Sequence, residues 1–285
     1  MAYALLLAAC EMVELKESEA LCGQEVTMKL FRYFQTLALA VTALVGLSAV
    51  AYADSFRLRI ENTSLGQGAV ITDNGVGDIN PALGVITFSG AIPGGFAVNV
   101  TTGLSKPMIG GTTSIAELDL NSVNVQTTGA GALRITLEDT DFINGVNGLL
   151  GFIGGVGGTL TAPGGSSVTF NTWVNPADLV PALGPDTSPV GALGAIGGIP
   201  AGSIAAFGSG ASFGPGVFSA TGGANFLKTG PYSLFSQATI VFTGAGSVSF
   251  DLDSRVVPEP SSLLLLGTGL LGVAMLVRRY SKKTA

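Results

Sequence analysis

Phe56-Arg57-Leu58-Arg59-Ile60-Glu61-Asn62 (FRLRIEN) sets apolar and charged side chains at alternate positions. A period of two sends Phe56, Leu58 and Ile60 to one side of an extended backbone and Arg57, Arg59 and Glu61 to the other. The stretch therefore predicts a β-strand with one wet face. GVITFSG, FAVNVTT, AELDLNSVNV, LRITLED, SVTFNT, QATIVFT and SVSFDLD repeat the device between Gly, Asn, Asp and Ser turns. No part of this body carries a sustained helical period with caps. Many short strands without intervening helices predict a mainly β fold, an antiparallel β-sandwich or jelly-roll-like body with its strand edges protected.

The segment from about residue 145 to 224 breaks the pattern. GFIGGVGG and VGALGAIGGIPAGSIAAFGSGASFGPG are rich in Gly and Ala, and Pro176, Pro181, Pro185 and Pro189 lie between them. Ordering so much glycine is entropically expensive, so the segment predicts an irregular excursion between early and late strands rather than a second domain. Its Leu, Ile and Phe residues suit it to lying against the sheet or on a partner.

Composition removes several chemistries. Histidine is absent from the 285 residues, and both cysteines, Cys10 and Cys22, lie before the body. Serine-histidine and cysteine-histidine pairs, imidazole bases and the usual zinc sites are therefore excluded from it, as are disulfides. Between Asp54 and Val257 the basic residues are Arg57, Arg59, Lys106, Arg134, Lys228 and Arg255, against thirteen acidic ones. That acidic balance lacks the footprint of a nucleic-acid binder.

The two ends read as addresses. From Met28 the chain shows a basic start (Lys29, Arg32), an apolar run from about Leu37 to Leu47 and the small-residue motif Ala51-Tyr52-Ala53. Residues 28–53 thus predict a secretory signal peptide, read by the Sec export machinery and cut before Asp54. Residues 1–27 hold five glutamates, where a signal peptide avoids acid, and read as an over-extension of the start site. At the other end Ser261 to Val277 is seventeen residues without a charge, about 26 Å as a helix at ~1.5 Å per residue and long enough for a thin bilayer core. Arg278, Arg279, Lys282 and Lys283 follow, which the positive-inside rule places in the cytoplasm with the body outside.

Pro258-Glu259-Pro260, the apolar run 261–277 and the basic cluster Arg278 to Lys283 closely resemble the PEP-CTERM sorting signal of Gram-negative bacteria. The resemblance implies recognition by an exosortase, a membrane transpeptidase. It implies transient anchoring in the inner membrane through the C-terminal helix, then release or transfer to the cell surface or extracellular matrix, usually in organisms that make exopolysaccharide and biofilm. ITDNGVGDINPALGVITFSG, VNVTTGLSKP, LDLNSVNV and GPYSLFSQATIVFTGAGSVSFDLD resemble a recurrent body of such proteins that has no established activity. The implied organisation is a β-rich exported body at 54–257 followed by a sorting signal at 258–285.

Within the body three groups suggest chemistry. DNGVGDIN offers oxygens from Asp73, Asn74, Asp78 and Asn80, which suit either a weak extracellular calcium site or a hairpin turn. The spacing is not that of an EF-hand, and the turn is the simpler reading; no other cofactor is expected. Glu138, Asp139 and Asp141 form the densest acidic run, a solvated strand end or one half of a glycosidase carboxylate pair. Trp173, the only tryptophan, reads as partly buried core or as a sugar platform extended by Tyr232 or Phe235. The leading expectation is a non-enzymatic surface or matrix protein. A carbohydrate- or calcium-binding module is the alternative, and a carbohydrate-active enzyme the third.

Overall fold

The computed structural model describes residues 56–106, 109, 116–145, 147–258 and 267–273. All of these fall in one compact unit, 54–285. Residues 1–53, which hold the expected signal peptide with Ala51 and Ala53, lie outside the described residues.

Two antiparallel sheets face one another in a sandwich-like body. The first contains β1 (Arg57–Asn62), β2 (Gln67–Thr72), β6 (Gly131–Phe142), β8 (Ser167–Asn175), β9 (Thr187–Ala192), β10 (Ile204–Ala205), β11 (Ala211–Phe213) and β13 (Tyr232–Phe242). Its order is β10-β8-β13-β6-β1-β2-β9, with β11 also on β8. The second contains β3 (Val85–Ile92), β4 (Phe96–Leu104), β5 (Ala116–Thr127), β7 (Gly148–Thr161), β12 (Gly216–Lys228) and β14 (Gly246–Pro258), in the order β12-β7-β14-β5-β4-β3. From β5 onward the long strands alternate between the sheets, so each connection closes the sandwich rather than extending one layer.

The expected alternation supplies the core. Leu58 and Ile60 on β1, Leu133, Ile135 and Leu137 on β6, and Ala238, Ile240 and Phe242 on β13 meet Leu118 and Leu120 on β5 and Phe250 and Leu252 on β14 in one buried cluster. Each of the Leu, Ile and Phe side chains, fully buried, stabilises by roughly 1.5–3 kcal/mol. Phe170 binds the layers together, with its ring centroid 4.8 Å from Phe250 and 5.4 Å from Phe218.

The glycine-rich segment differs from expectation. Residues 145–224 contribute β7 to β11 and most of β12, and only the connections between them are irregular. Leu150, Phe152, Val156 and Leu160 still alternate into the core from β7, with glycines filling the intervening inward positions. Two of those glycines are required by space. Gly154 and Gly222 are opposite one another on β7 and β12. A Cβ on Gly154 would lie 2.7 Å from Thr172 Oγ1, and one on Gly222 would lie 2.4 Å from the Ala206 carbonyl oxygen. Their bare backbones let Ala206 and Phe207 enter the open side of the sandwich, where Ala206 donates to the Thr172 carbonyl at 2.9 Å.

The wet face expected of β1 is also corrected. Between β8 and β10 the chain, residues 176–203, crosses the outer face of the first sheet, adds β9 beside β2 and returns. Outbound, the Leu179 carbonyl accepts from Ser233 Oγ at 2.6 Å and that of Leu183 accepts from Arg59 Nη1 at 2.7 Å. On the return, the Gly194 carbonyl accepts from Arg59 Nη2 at 2.6 Å and that of Ala201 from Asn175 Nδ2 at 3.1 Å. Arg59 is left 1% exposed. The strap meets Arg59 with backbone carbonyls rather than with a charged side chain.

Candidate functional site

The sorting tripeptide begins at the last residue of β14. Pro258 is the last residue of β14, an internal strand of its sheet, and stands opposite Leu150 on β7. Proline suits this terminal place, since it has no N–H to contribute to a continuing ladder. Glu259 and Pro260, and the basic residues Arg278, Arg279, Lys282 and Lys283, lie outside the described residues. Of the expected span 261–277, residues 267–273 are described and are helical and exposed. Among the described residues no helix is long and apolar enough to cross a membrane.

The DNGVGDIN loop spends its side-chain oxygens on its own backbone. Asp78 accepts from the Asn74, Asn80 and Thr87 amides at 3.0, 2.9 and 3.0 Å, and Asp73 accepts from the Gly84 amide at 2.7 Å. Asn80 Oδ1 caps the Ala82 amide at 3.0 Å. Asn74 takes φ of 56°, a left-handed turn conformation that Asn tolerates. Burial, then Asp78, raises the pKa of Asp73, and the Gly84 amide opposes the rise. This is the geometry of a self-capped turn. Among the described residues no group of three or more acidic, His or Cys side chains could hold a metal ion.

The acidic run on β6 is divided by the strand period. Glu138 points to the outer face under the strap, and Asp139 to the other side, where Lys106 Nζ lies 2.9 Å from its Oδ2 and Ser105 Oγ donates at 2.6 Å. Lys106 also lies 4.7 Å from the centre of the Phe142 ring. Asp141, at φ 59°, is exposed at the irregularity between β6 and β13. The three carboxylates therefore do not share a site.

Trp173 is half-buried and stacks on Phe235, with centroids 5.1 Å apart and planes 14° from parallel. The expected extension of a platform is corrected, because Phe235 and Tyr232 are both fully buried. Tyr232 packs on Phe142 at 5.9 Å, and burial raises its pKa. Trp173 alone reaches solvent from this group.

Beneath the strap lies a polar network not foreseen from the residues. Arg59 Nε and Arg134 Nη2 each donate to Glu61 Oε2 at 2.9 Å. Arg57 donates to the Gly184 carbonyl and lies 3.3 Å from Asp186 Oδ1, which also accepts from Thr72 Oγ1 at 2.7 Å. The register puts Arg57, Glu138, Phe235 and Trp173 in one row across four strands. Burial pushes the pKa of Glu138 up to about 8 against the pull of Arg57. Its Oε2 has no hydrogen-bond partner among the described residues. The one sequence signal for this network was the charge alternation in FRLRIEN, which is equally the mark of a solvated face.

No curated protein matches the chain. Among solved structures, the enzymatically active domain of Bacteriophage CBA120 tailspike protein 4 is similar at 12% identity and a TM-score of 0.25, over 49% of this chain and 17% of that one. TmCBM61 in complex with β-1,4-galactotriose is similar at 10% identity and 0.23, over 57% of this chain and 88% of that one. The family 11 carbohydrate-binding module from Clostridium thermocellum is similar at 10% and 0.25, over 71% and 96%. A family model described as the PEP-CTERM protein-sorting motif matches residues 256–279, so the chain carries that motif, beginning within the last three residues of β14.

Proposed function

We propose that this chain is an exported surface or extracellular-matrix protein, sorted and processed by an exosortase-type transpeptidase, with a body that works without catalysis as a scaffold or adhesive among exopolysaccharide. The observation that carries this reading is the sorting motif at residues 256–279, joined to β14 without a spacer. A motif tethered this closely keeps the folded body at the membrane face until the chain is cut. The acidic, low-charge surface suits a hydrated polysaccharide layer. In the native host, Glu259→Gln blocks release and leaves a membrane form that still ends at Ala285. Wild-type protein at the surface has an intact mass consistent with a chain from Asp54 to near Pro258. Normal release of the variant overturns the reading.

Binding of polysaccharide by the body is a second reading, favoured by Trp173, whose indole is held flat by the buried Phe235 ring and partly open to solvent. Calorimetry with the host's own polysaccharide tests it. Heat that disappears in Trp173→Ala supports it, and no heat at millimolar sugar rejects it.

A further inference from the structure

We infer that β12 is a joint between two copies of this chain, pairing antiparallel with the same strand of a partner about a twofold axis at Gly222. Exposed sheet edges invite pairing, and proteins blunt them with short strands, bulges, prolines and charge. The other edges here are blunted. β10 and β11 have two and three residues, β9 has six with Pro189 among them, and β3 loses register with β4 between Ile86 and Phe88. β12 differs on every count. It runs thirteen residues at the end of its sheet, keeps unbroken register with β7, and holds no proline and no charge before Lys228.

The sequence of the strand names the occupant. GVFSATGGANFLK matches like with like about Gly222 at four of its six pairs: Ala220 with Ala224, Ser219 with Asn225, Phe218 with Phe226, and Val217 with Leu227. Thr221 with Gly223 and Gly216 with Lys228 do not match. An antiparallel pair of identical strands centred there sets each residue against its counterpart across the centre. The inward row continues the core face, with Phe218 opposite the partner's Phe226 and Ala220 opposite the partner's Ala224. On the outward row Val217, 87% exposed, meets the partner's Leu227, whose equivalent here is 59% exposed. Lys228 falls opposite the partner's Gly216, so like charges do not oppose one another. The interface is isologous and closed, and joins two six-stranded sheets into one of twelve.

The test uses the full chain in detergent, in a Cys10→Ser, Cys22→Ser background. Opposed residues in an antiparallel pair lie about 4.5–5.5 Å apart at Cα, within disulfide reach. Ser219→Cys chains mixed with Asn225→Cys chains should therefore cross-link on mild oxidation. Neither variant should do so alone, because like positions sit roughly 20 Å apart at ~3.3 Å per residue. Val217→Lys with Leu227→Lys changes only exposed side chains, so the melting temperature should hold while sedimentation shifts from dimer to monomer. The inference is overturned by a wild-type monomer at tens of micromolar, by cross-linking without regard to register, or by a lysine variant that stays dimeric.

Discussion

The two outer faces of the sandwich begin from the same kind of sequence and finish in opposite environments. On the first sheet, Arg57, Arg59, Glu61, Arg134 and Glu138 lie beneath or beside the strap 176–203. Arg59 and Glu61 form a buried pair completed by backbone carbonyls from residues more than 120 positions away. On the second sheet, Glu117, Asp119, Asp251, Asp253 and Arg255 stay at the surface, half-buried or exposed, beside the bare backbones of Gly155 and Gly157. A Cβ on Gly155 would lie 2.4 Å from Asp253 Oδ1, so the missing side chain is what lets that carboxylate lean across β7. Alternation of charge along a strand thus establishes which residues share a face. It does not establish whether water reaches that face.

The sharpest way to break the contrast is Arg59→Met. It deletes the bonds to Glu61, Leu183 and Gly194 together and leaves a buried carboxylate with one fewer cation. Removing one member of a buried pair costs about 3–5 kcal/mol, read as a lower midpoint in urea denaturation. Protection of the strap amides from hydrogen exchange should fall with it. The same change at Arg255 on the bare face should cost under about 1 kcal/mol.

The pH dependence separates the faces next. Glu138 has its folded pKa raised from 4.5 to about 8, so the folded state binds the extra proton between those values. Its contribution is fully present below pH 4.5 and is lost as pH rises through 8, at up to about 1.4 kcal/mol per pH unit. Glu138→Gln should flatten that slope, and stability curves at pH 5 and pH 8 measure it. The smallest effect is on the second sheet. There burial, then Asp253 and Glu117, raise the pKa of Asp119 to about 6 despite a hydrogen bond from Asn121. Asp253→Asn should bring it down toward 3.8, as followed by carboxyl NMR titration. An unchanged value would mean that desolvation alone sets it.

Eight of the strands were legible because each kept its period of two with β-branched or aromatic residues. β7 and β12 were not, because glycine at the inward positions 154, 158 and 222 removes the hydrophobic mark while leaving the backbone free to pair. The inward series Leu150, Phe152, Val156, Leu160 was present and could have been counted through the gaps. The loop with Asp73 and Asp78 was legible as a turn for the same local reason that Asx side chains cap nearby amides. The burial of Phe235 was not legible, since its row with Ser233, Gln237 and Thr239 fits an exposed face. Tyr232 lies in the row of Leu234, Ala238 and Ile240, and its burial could have been read from that alternation.

Local chemistry determined the mainly β class, the strand faces, the exclusion of histidine and cysteine chemistry from the body, and the sorting motif at its end. Each depends on neighbours within a few residues, where sterics and hydrogen bonding act directly. The strap over the first sheet, the separation of Glu138 from Asp139 by environment, the buried backing behind Trp173 and the open edge of β12 were decided only in the tertiary structure. They depend on which segments distant in sequence exclude water from which face, and burial, unlike period, is a property of the assembled chain.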